Sequence, residues 1–272
     1  MSQAVPPPNV LSIAGTDPSG GAGIQADLKA FSALGAYGTT VITSLVAQNT
    51  HGVHSVHQPP AAFITDQLDN LLADVRIAAT KTGMLGTAEV VEVVVDGLRR
   101  HAHGYLVVDP VMVSTSGHRL LAADAVHAVR TQLLPLADLI TPNLPEAADL
   151  LGEDEATDEA TMLEQLHRLG ELGPAVLLKG GHLDGDDSVD LLLLDGEVTR
   201  LSAPRVHTRN THGSGCTLSA AITALRPQRP DWSSTVTEAK EYLSAAFRAA
   251  DRLDVGTGHG PQHHFHAWWP TP

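Results

Sequence analysis

The chain has 272 residues, 43% of them hydrophobic, with 24 glycines, one cysteine and a formal net charge of −14. That length supports one large core or two small ones, and the acidic balance excludes a duplex or anionic-membrane partner, which would need a basic stripe. A single cysteine excludes an internal disulfide framework; with no signal-like start and no apolar run of about 18 residues, a cytoplasmic protein is expected.

In chain order, Met1 to Pro8, with three consecutive prolines, reads as an extended tail, and residues 9–272 read as a single α/β domain. Val10 to Ala14 is the first strand candidate, followed by the loop Gly15-Thr16-Asp17-Pro18-Ser19-Gly20-Gly21-Ala22-Gly23. Ile24, Leu28, Phe31 and Leu34 then mark one helical face. Gly21, Gly23 and Ala26 mimic a dinucleotide fingerprint, but the loop is long and the next strand ends without an acidic residue for a ribose. Thr39 to Val46 is the second strand; beyond it, Gln48 offers a donor and an acceptor suited to a nitrogen heterocycle, or else is a surface amide. Gly52 to His57 can pair back as a hairpin. Arg76 to Thr80 is the third strand, with Lys81-Thr82-Gly83-Met84-Leu85 after it and Met84 as an apolar wall.

Val90, Val91, Val94, Val95 and Leu98 make a second helical face, and Tyr105 to Asp109 the fourth strand, leading into Pro110-Val111-Met112. Val126, Val129 and Leu133 mark a third helix. Leu139 to Thr141 is the fifth strand, followed by Asn143 and Glu146. Asp109, Asn143 and Glu146 are oxygen donors of the kind that hold Mg²⁺ directly or through water; Glu146 equally suits a helix N-terminus. Gly152 to Asp158 reads as an exposed turn. Ala175 to Lys179 is the sixth strand, with Lys179-Gly180-Gly181-His182 at its end and a cation able to neutralise a phosphoryl group. Leu191 to Leu194 pairs with Val198 to Leu201 across Asp195-Gly196, and Val236 to Leu253 gives a long last helix. This alternation predicts a mostly parallel sheet covered by helices, with ligands beyond the carboxyl ends of the strands.

The most telling stretch is Asn210-Thr211-His212-Gly213-Ser214-Gly215-Cys216-Thr217, a glycine-rich turn opening onto a helix. Its amides suit a phosphate, and about 1 kcal/mol from the helix end would raise the Cys216 thiolate fraction at neutral pH to roughly ten per cent. Glycine amides, a lysine, metal-type oxygens and a thiol are what phosphoryl transfer requires, so the residues point to an ATP-dependent small-molecule kinase.

Six separated stretches resemble the hydroxymethylpyrimidine and phosphomethylpyrimidine kinases of thiamine biosynthesis, within the ribokinase-like superfamily. They are residues 13–27, 46–50, 139–146, 179–182, 210–217 and the tail 263–269. The resemblance implies a ribokinase-like three-layer α/β/α sandwich with a mostly parallel central sheet, a small β-flap and a homodimer. It implies ATP and Mg²⁺ as cofactors and two successive phosphorylations of 4-amino-5-hydroxymethyl-2-methylpyrimidine. Gln48, Asp27, Gly15, Met84 and Val111 would then line the pyrimidine site. Gly213, Ser214 and Gly215 would form the anion hole, with Cys216 where sugar kinases carry an aspartate base. Lys179, Thr211, Gly213 and Asn143 would serve the nucleotide, and Glu146 and Asn143 the metal. Asp109 is given no ligand role, because Asp109-Pro110 departs from the family pattern. His263, His264 and His266 are read as packing or surface residues in preference to a metal cluster. A pyridoxal-type kinase and a pyrimidine sensor without turnover are the rival readings.

Overall fold

Residues 6–112, 121–181 and 183–270 are described by the computed structural model; His182 and Met1 to Val5 lie outside the described residues. Eight strands form one sheet: β1 (Asn9–Ala14), β2 (Tyr37–Ile42), β5 (Ala79–Thr82), β6 (Tyr105–Val108), β7 (Leu139–Ile140), β8 (Ala175–Lys179), β9 (Asp187–Leu194) and β10 (Glu197–Pro204). Their spatial order is β10-β9-β8-β7-β6-β5-β1-β2, and only β9 and β10 run antiparallel to their neighbours. A separate hairpin joins β3 (Leu45–Asn49) to β4 (Gly52–His57).

Side chains alternate across each strand, so one strand feeds two cores. Leu106 and Val108 enter the larger core with Leu11, Ile13, Val176 and Leu178. Val107 points the other way, to a second core shared with Leu139, Leu177 and Leu192. The larger core is covered by α2 (Ala61–Asp74), α3 (Ala88–Arg100), α4 (Ala123–Ala128), α5 (Leu144–Leu151) and α6 (Glu159–Gly170). The opposite face carries α1 (Gly23–Ala33), α7 (Ser214–Leu225) and α8 (Trp232–Arg248). These are the three layers of an α/β/α sandwich, with the flap outside them.

Four boundaries differ from the sequence reading. Thr39 to Val46 is not one strand: the chain leaves the main sheet after Ile42, and the buried Thr43 and Ser44 are pinned there. Thr43 Oγ1 donates to the Met84 carbonyl at 2.7 Å, and the Thr16 N–H donates to the Ser44 carbonyl at 2.9 Å. The third strand runs later than Arg76 to Thr80, which puts Lys81 and Thr82 inside the sheet and not in a loop. The third helix continues past Ala128 as a wide π turn over Val129–Leu133. The last helix stops at Arg248, and Ala250–Arg252 forms a 3₁₀ turn. Of the tail, Pro8 is tied in, its carbonyl accepting the Tyr37 N–H at 2.9 Å.

Candidate active site

Because β1, β5, β6, β7 and β8 are parallel, the residues following them gather at one edge of the sheet, around a cavity of about 640 Å³. That volume suits a small-molecule site. Gly15, Gln48, Met84 and Val111 line it, as do Ala203, Val206, Leu243 and Phe247. Thr211 to Cys216, Asp109, Asn143, Glu146 and Lys179 also line it. The expected wall residues are therefore in place except Asp27, which does not reach the cavity.

Gly213 caps α7 in the left-handed region at φ 77°, and a Cβ there would overlap the Gly21 carbonyl. The glycine is thus required by contact with the first loop as well as by the amide-lined turn. A Cβ on Gly215 would sit 3.1 Å from Lys179 Nζ, so this position leaves room for the cation. Asp17 organises both loops. Its Oδ2 accepts the N–H groups of Gly21 at 3.0 Å and Ala22 at 2.8 Å and lies 2.8 Å from His212 Nε2. Its Oδ1 accepts from the Ser19 N–H at 2.8 Å and hydroxyl at 2.7 Å. Burial alone would raise the Asp17 acid, but hydrogen bonds from His212, Ser19 and Gln48 outweigh it and hold it well below the usual carboxylate range.

Lys179, at the end of β8, faces two buried carboxylates. Its Nζ is 3.2 Å from Asp109 Oδ1 and 3.8 Å from Glu146 Oε2. Asp109 also accepts from Ser219 Oγ at 3.0 Å. Burial raises Glu146 to about 7 and Asp109 adds to the rise, while Lys179 pulls it down. Burial would lower the Lys179 ammonium, but Asp109 and Glu146 more than compensate and raise it. Asn143 and Glu146 are also a capping box: Asn143 Oδ1 accepts the Glu146 N–H at 2.9 Å, and Glu146 Oε2 accepts the Asn143 N–H at 2.8 Å. The helix-terminal reading of Glu146 therefore holds alongside any other role.

Among the described residues no three His, Cys, Asp or Glu side chains converge to cage a metal. The donor set nonetheless fits Mg²⁺, which takes one or two carboxylates and completes its shell from phosphate and water. Two buried carboxylates facing a single lysine leave negative charge for such a cation to neutralise.

Cys216 is half-buried in the first turn of α7, on the cavity wall. The expectation of a partly ionised thiol fails. Burial pushes it up to about 11; Lys81 pulls it down, but Asp109 and Asp27 push it up again. Loss of hydration outweighs the roughly 1 kcal/mol that a helix end supplies. Asp27 lies behind this wall, fully buried, with both carboxylate oxygens 2.9 Å from the equally buried Lys81 Nζ and one 2.6 Å from Ser12 Oγ. Its role as a direct substrate contact is corrected to one of support beneath the site.

Several residues were missed. Asp109, given no ligand role on its motif, lines the cavity and pairs with Lys179; its position directly after a parallel strand is the signal for it. His212 and Asp17 lie inside the glycine-rich motifs, where sequence pattern alone gives them no role. Lys240 and Asp190, paired at 2.5 Å on the cavity wall, come from α8 and β9 and share no local pattern. The histidines of the tail pack: His263 and His264 are buried, His264 Nε2 lies 3.0 Å from Thr217 Oγ1, and the rings of His263 and Trp269 meet edge to face.

Comparison with known proteins bears on this geometry. Residues 17–263 match the family described as Phosphomethylpyrimidine kinase. The hydroxymethylpyrimidine/phosphomethylpyrimidine kinase of Escherichia coli (strain K12) is 56% identical over 262 residues, covering 96% of this chain and 98% of that protein. A thiamine biosynthesis bifunctional protein of Geobacter sulfurreducens is 46% identical over 94% of this chain, which aligns with 52% of its length. Among solved structures, an ADP complex of Bacillus subtilis pyridoxal kinase superposes with a TM-score of 0.88 at 36% identity, over 96% of this chain and 98% of that one. The phosphomethylpyrimidine kinase of Clostridium difficile 630 superposes at 0.78 and 40% identity, over 88% and 99%. With a family match across nearly all of its length and more than half of its residues shared with a full-length relative, the chain belongs to the phosphomethylpyrimidine kinase family of phosphotransferases.

Proposed function

We propose that this chain uses ATP to phosphorylate 4-amino-5-hydroxymethyl-2-methylpyrimidine to its monophosphate, and then the monophosphate to the diphosphate, in thiamine biosynthesis. The observation that carries the reading is the meeting, on one cavity, of Gln48, Met84 and Val111 with a glycine-rich turn and the partly exposed Lys179. The higher identity to pyrimidine kinases than to pyridoxal kinases favours this substrate over vitamin B6 compounds.

In the first step the hydroxymethyl oxygen attacks the γ-phosphorus, the bond to the β–γ bridging oxygen breaks with its electron pair leaving on ADP, and the alcohol gives up its proton. Gln48, held by its hydrogen bond to Asp17, orients the ring through the rest of its amide, and Met84 and Val111 shield it. The Gly213-Ser214-Gly215 turn and Lys179 take up the charge on the transferred group, with Thr211 beside them. Asn143 and Glu146, with Asp109, would hold Mg²⁺, which supplies further charge neutralisation when bound. Cys216 accepts the alcohol proton in its thiolate form. In the second step the attacking phosphate oxygen is already anionic and needs orientation alone. The enzyme is further proposed to act as a cytoplasmic homodimer, for which Leu45 and Val56 on the flap and Phe63 beside it provide exposed apolar surface.

The substrate is tested by comparing kcat/KM for the hydroxymethylpyrimidine and for pyridoxal through ADP release. A ratio well above one is expected; preference for pyridoxal would overturn the assignment, and no turnover with either would leave the sensor.

A further inference from the structure

Beyond the last helix, residues 256–262 touch both the flap and the anion loop. At one end the Thr50 carbonyl, at the tip of the hairpin, accepts the His259 N–H at 2.8 Å, and Thr50 Oγ1 accepts the Gly258 N–H at 3.1 Å. His51 Nε2 lies 2.9 Å from Thr257 Oγ1. At the other end the Gly260 carbonyl accepts the His212 N–H at 3.1 Å. The Gln262 amide donates to the His212 carbonyl at 3.1 Å and the Asn210 carbonyl at 3.4 Å, and its oxygen accepts from Thr217 Oγ1 at 3.2 Å.

The two contact sets meet at adjacent residues, His259 and Gly260, at a reach of at most about 3.6 Å per residue, so the connection has little slack. Gln48 stands two positions before Thr50 on the same hairpin. Displacing the hairpin tip therefore pulls on the carbonyls and amides that shape the 210–217 turn, and fixing that turn fixes the tip.

We infer that residues 256–262 are a strap that sets the flap bearing Gln48 against the anion loop, making Thr50, Gly258 and Gln262 positioning residues that couple pyrimidine and nucleotide binding. The identity of the two ligands rests on the proposed function; the mechanical link does not. Linkage makes the coupling reciprocal: occupancy of the anion loop steadies the flap, and occupancy beneath the flap strengthens nucleotide binding by the same factor.

Gly258→Ala tests it. Gly258 has no left-handed backbone, so alanine is tolerated there except that its Cβ overlaps the Thr50 carbonyl, which opens the clip. Amide hydrogen exchange is measured on the full chain with and without saturating Mg²⁺ and a non-hydrolysable ATP analogue, with saturation established by titration. In the unmodified protein the analogue is expected to slow the amides of residues 45–57 at least about fivefold, the low end of typical coupling, and in Gly258→Ala by less than about twofold. Thr50→Ala, which removes one hydroxyl and keeps the backbone bond, is expected to fall between. Equal slowing in all three proteins, or none in the saturated unmodified protein, would overturn the inference. Since this readout needs only the nucleotide, failure of the pyrimidine to bind would count against the proposed substrate and leave the strap decided by exchange.

Discussion

At position 216 two effects oppose each other. The first turn of α7 favours a thiolate, while removal from water favours the thiol, and burial wins with the thiol at about 11. Each pH unit below that value costs a factor of ten in thiolate. If Cys216 accepts the alcohol proton, kcat/KM for the first phosphorylation rises tenfold per pH unit across the neutral range, whereas the second step lacks this dependence. Cys216→Ala should lower the first step by about 10²- to 10⁴-fold, the usual span of general base catalysis, and the second by much less. Equal losses in both steps, or a first-step profile unchanged by the substitution, would show that Cys216 serves neither proton.

Glu146 gives a second result at this scale. Its folded value of about 7 lies above the reference value of 4.5, so the folded protein binds more protons than the unfolded chain between those pH values. Its contribution is full below about 4.5 and is lost as pH rises through 7. Glu146→Gln keeps the capping box, since glutamine can occupy its third position, and should flatten the decline in stability of the ligand-free protein over that range. Urea midpoints measured from pH 5 to 8 check this; parallel curves for the two proteins would contradict it.

Among the elements, the pair Lys81–Asp27 joins β5 to α1 close to Cys216, with neither side chain exposed. Lys81→Met strands a buried carboxylate and should cost about 3–5 kcal/mol, while adding Asp27→Leu should recover most of the loss. Denaturant unfolding of the single and double variants decides it, and a single variant of undiminished stability would refute the account. This pair also explains what the sequence hid. Short apolar runs rich in β-branched residues, bounded by turns, made β1, β6 and β8 legible, and Asp195-Gly196 marked the β9–β10 hairpin, because those signals are local. The boundary of β5 was misplaced because a lysine looks like a strand terminator until its partner, 54 positions earlier, is seen. Likewise, the break between β2 and β3 depends on Thr43 bonding to Met84, which no local pattern encodes.

Across the molecule, the parallel strands bring the loops after β1, β5, β6, β7 and β8 to one edge, which is why motifs scattered over some two hundred positions could be read as one site. Glycine-rich turns and strand-end side chains were legible for that reason. Asp190–Lys240 and the strap were not, because each depends on the return of α8 or the C-terminal segment to that edge. Among the described residues the 210–217 turn shares one cavity with Gln48, Met84 and Val111, so the proposed function assigns both phosphorylations to a single site. Mass spectrometry of a time course with MgATP and the hydroxymethylpyrimidine tests this most directly. Monophosphate should appear first and diphosphate follow at its expense; monophosphate that accumulates without ever being converted would contradict a two-step kinase.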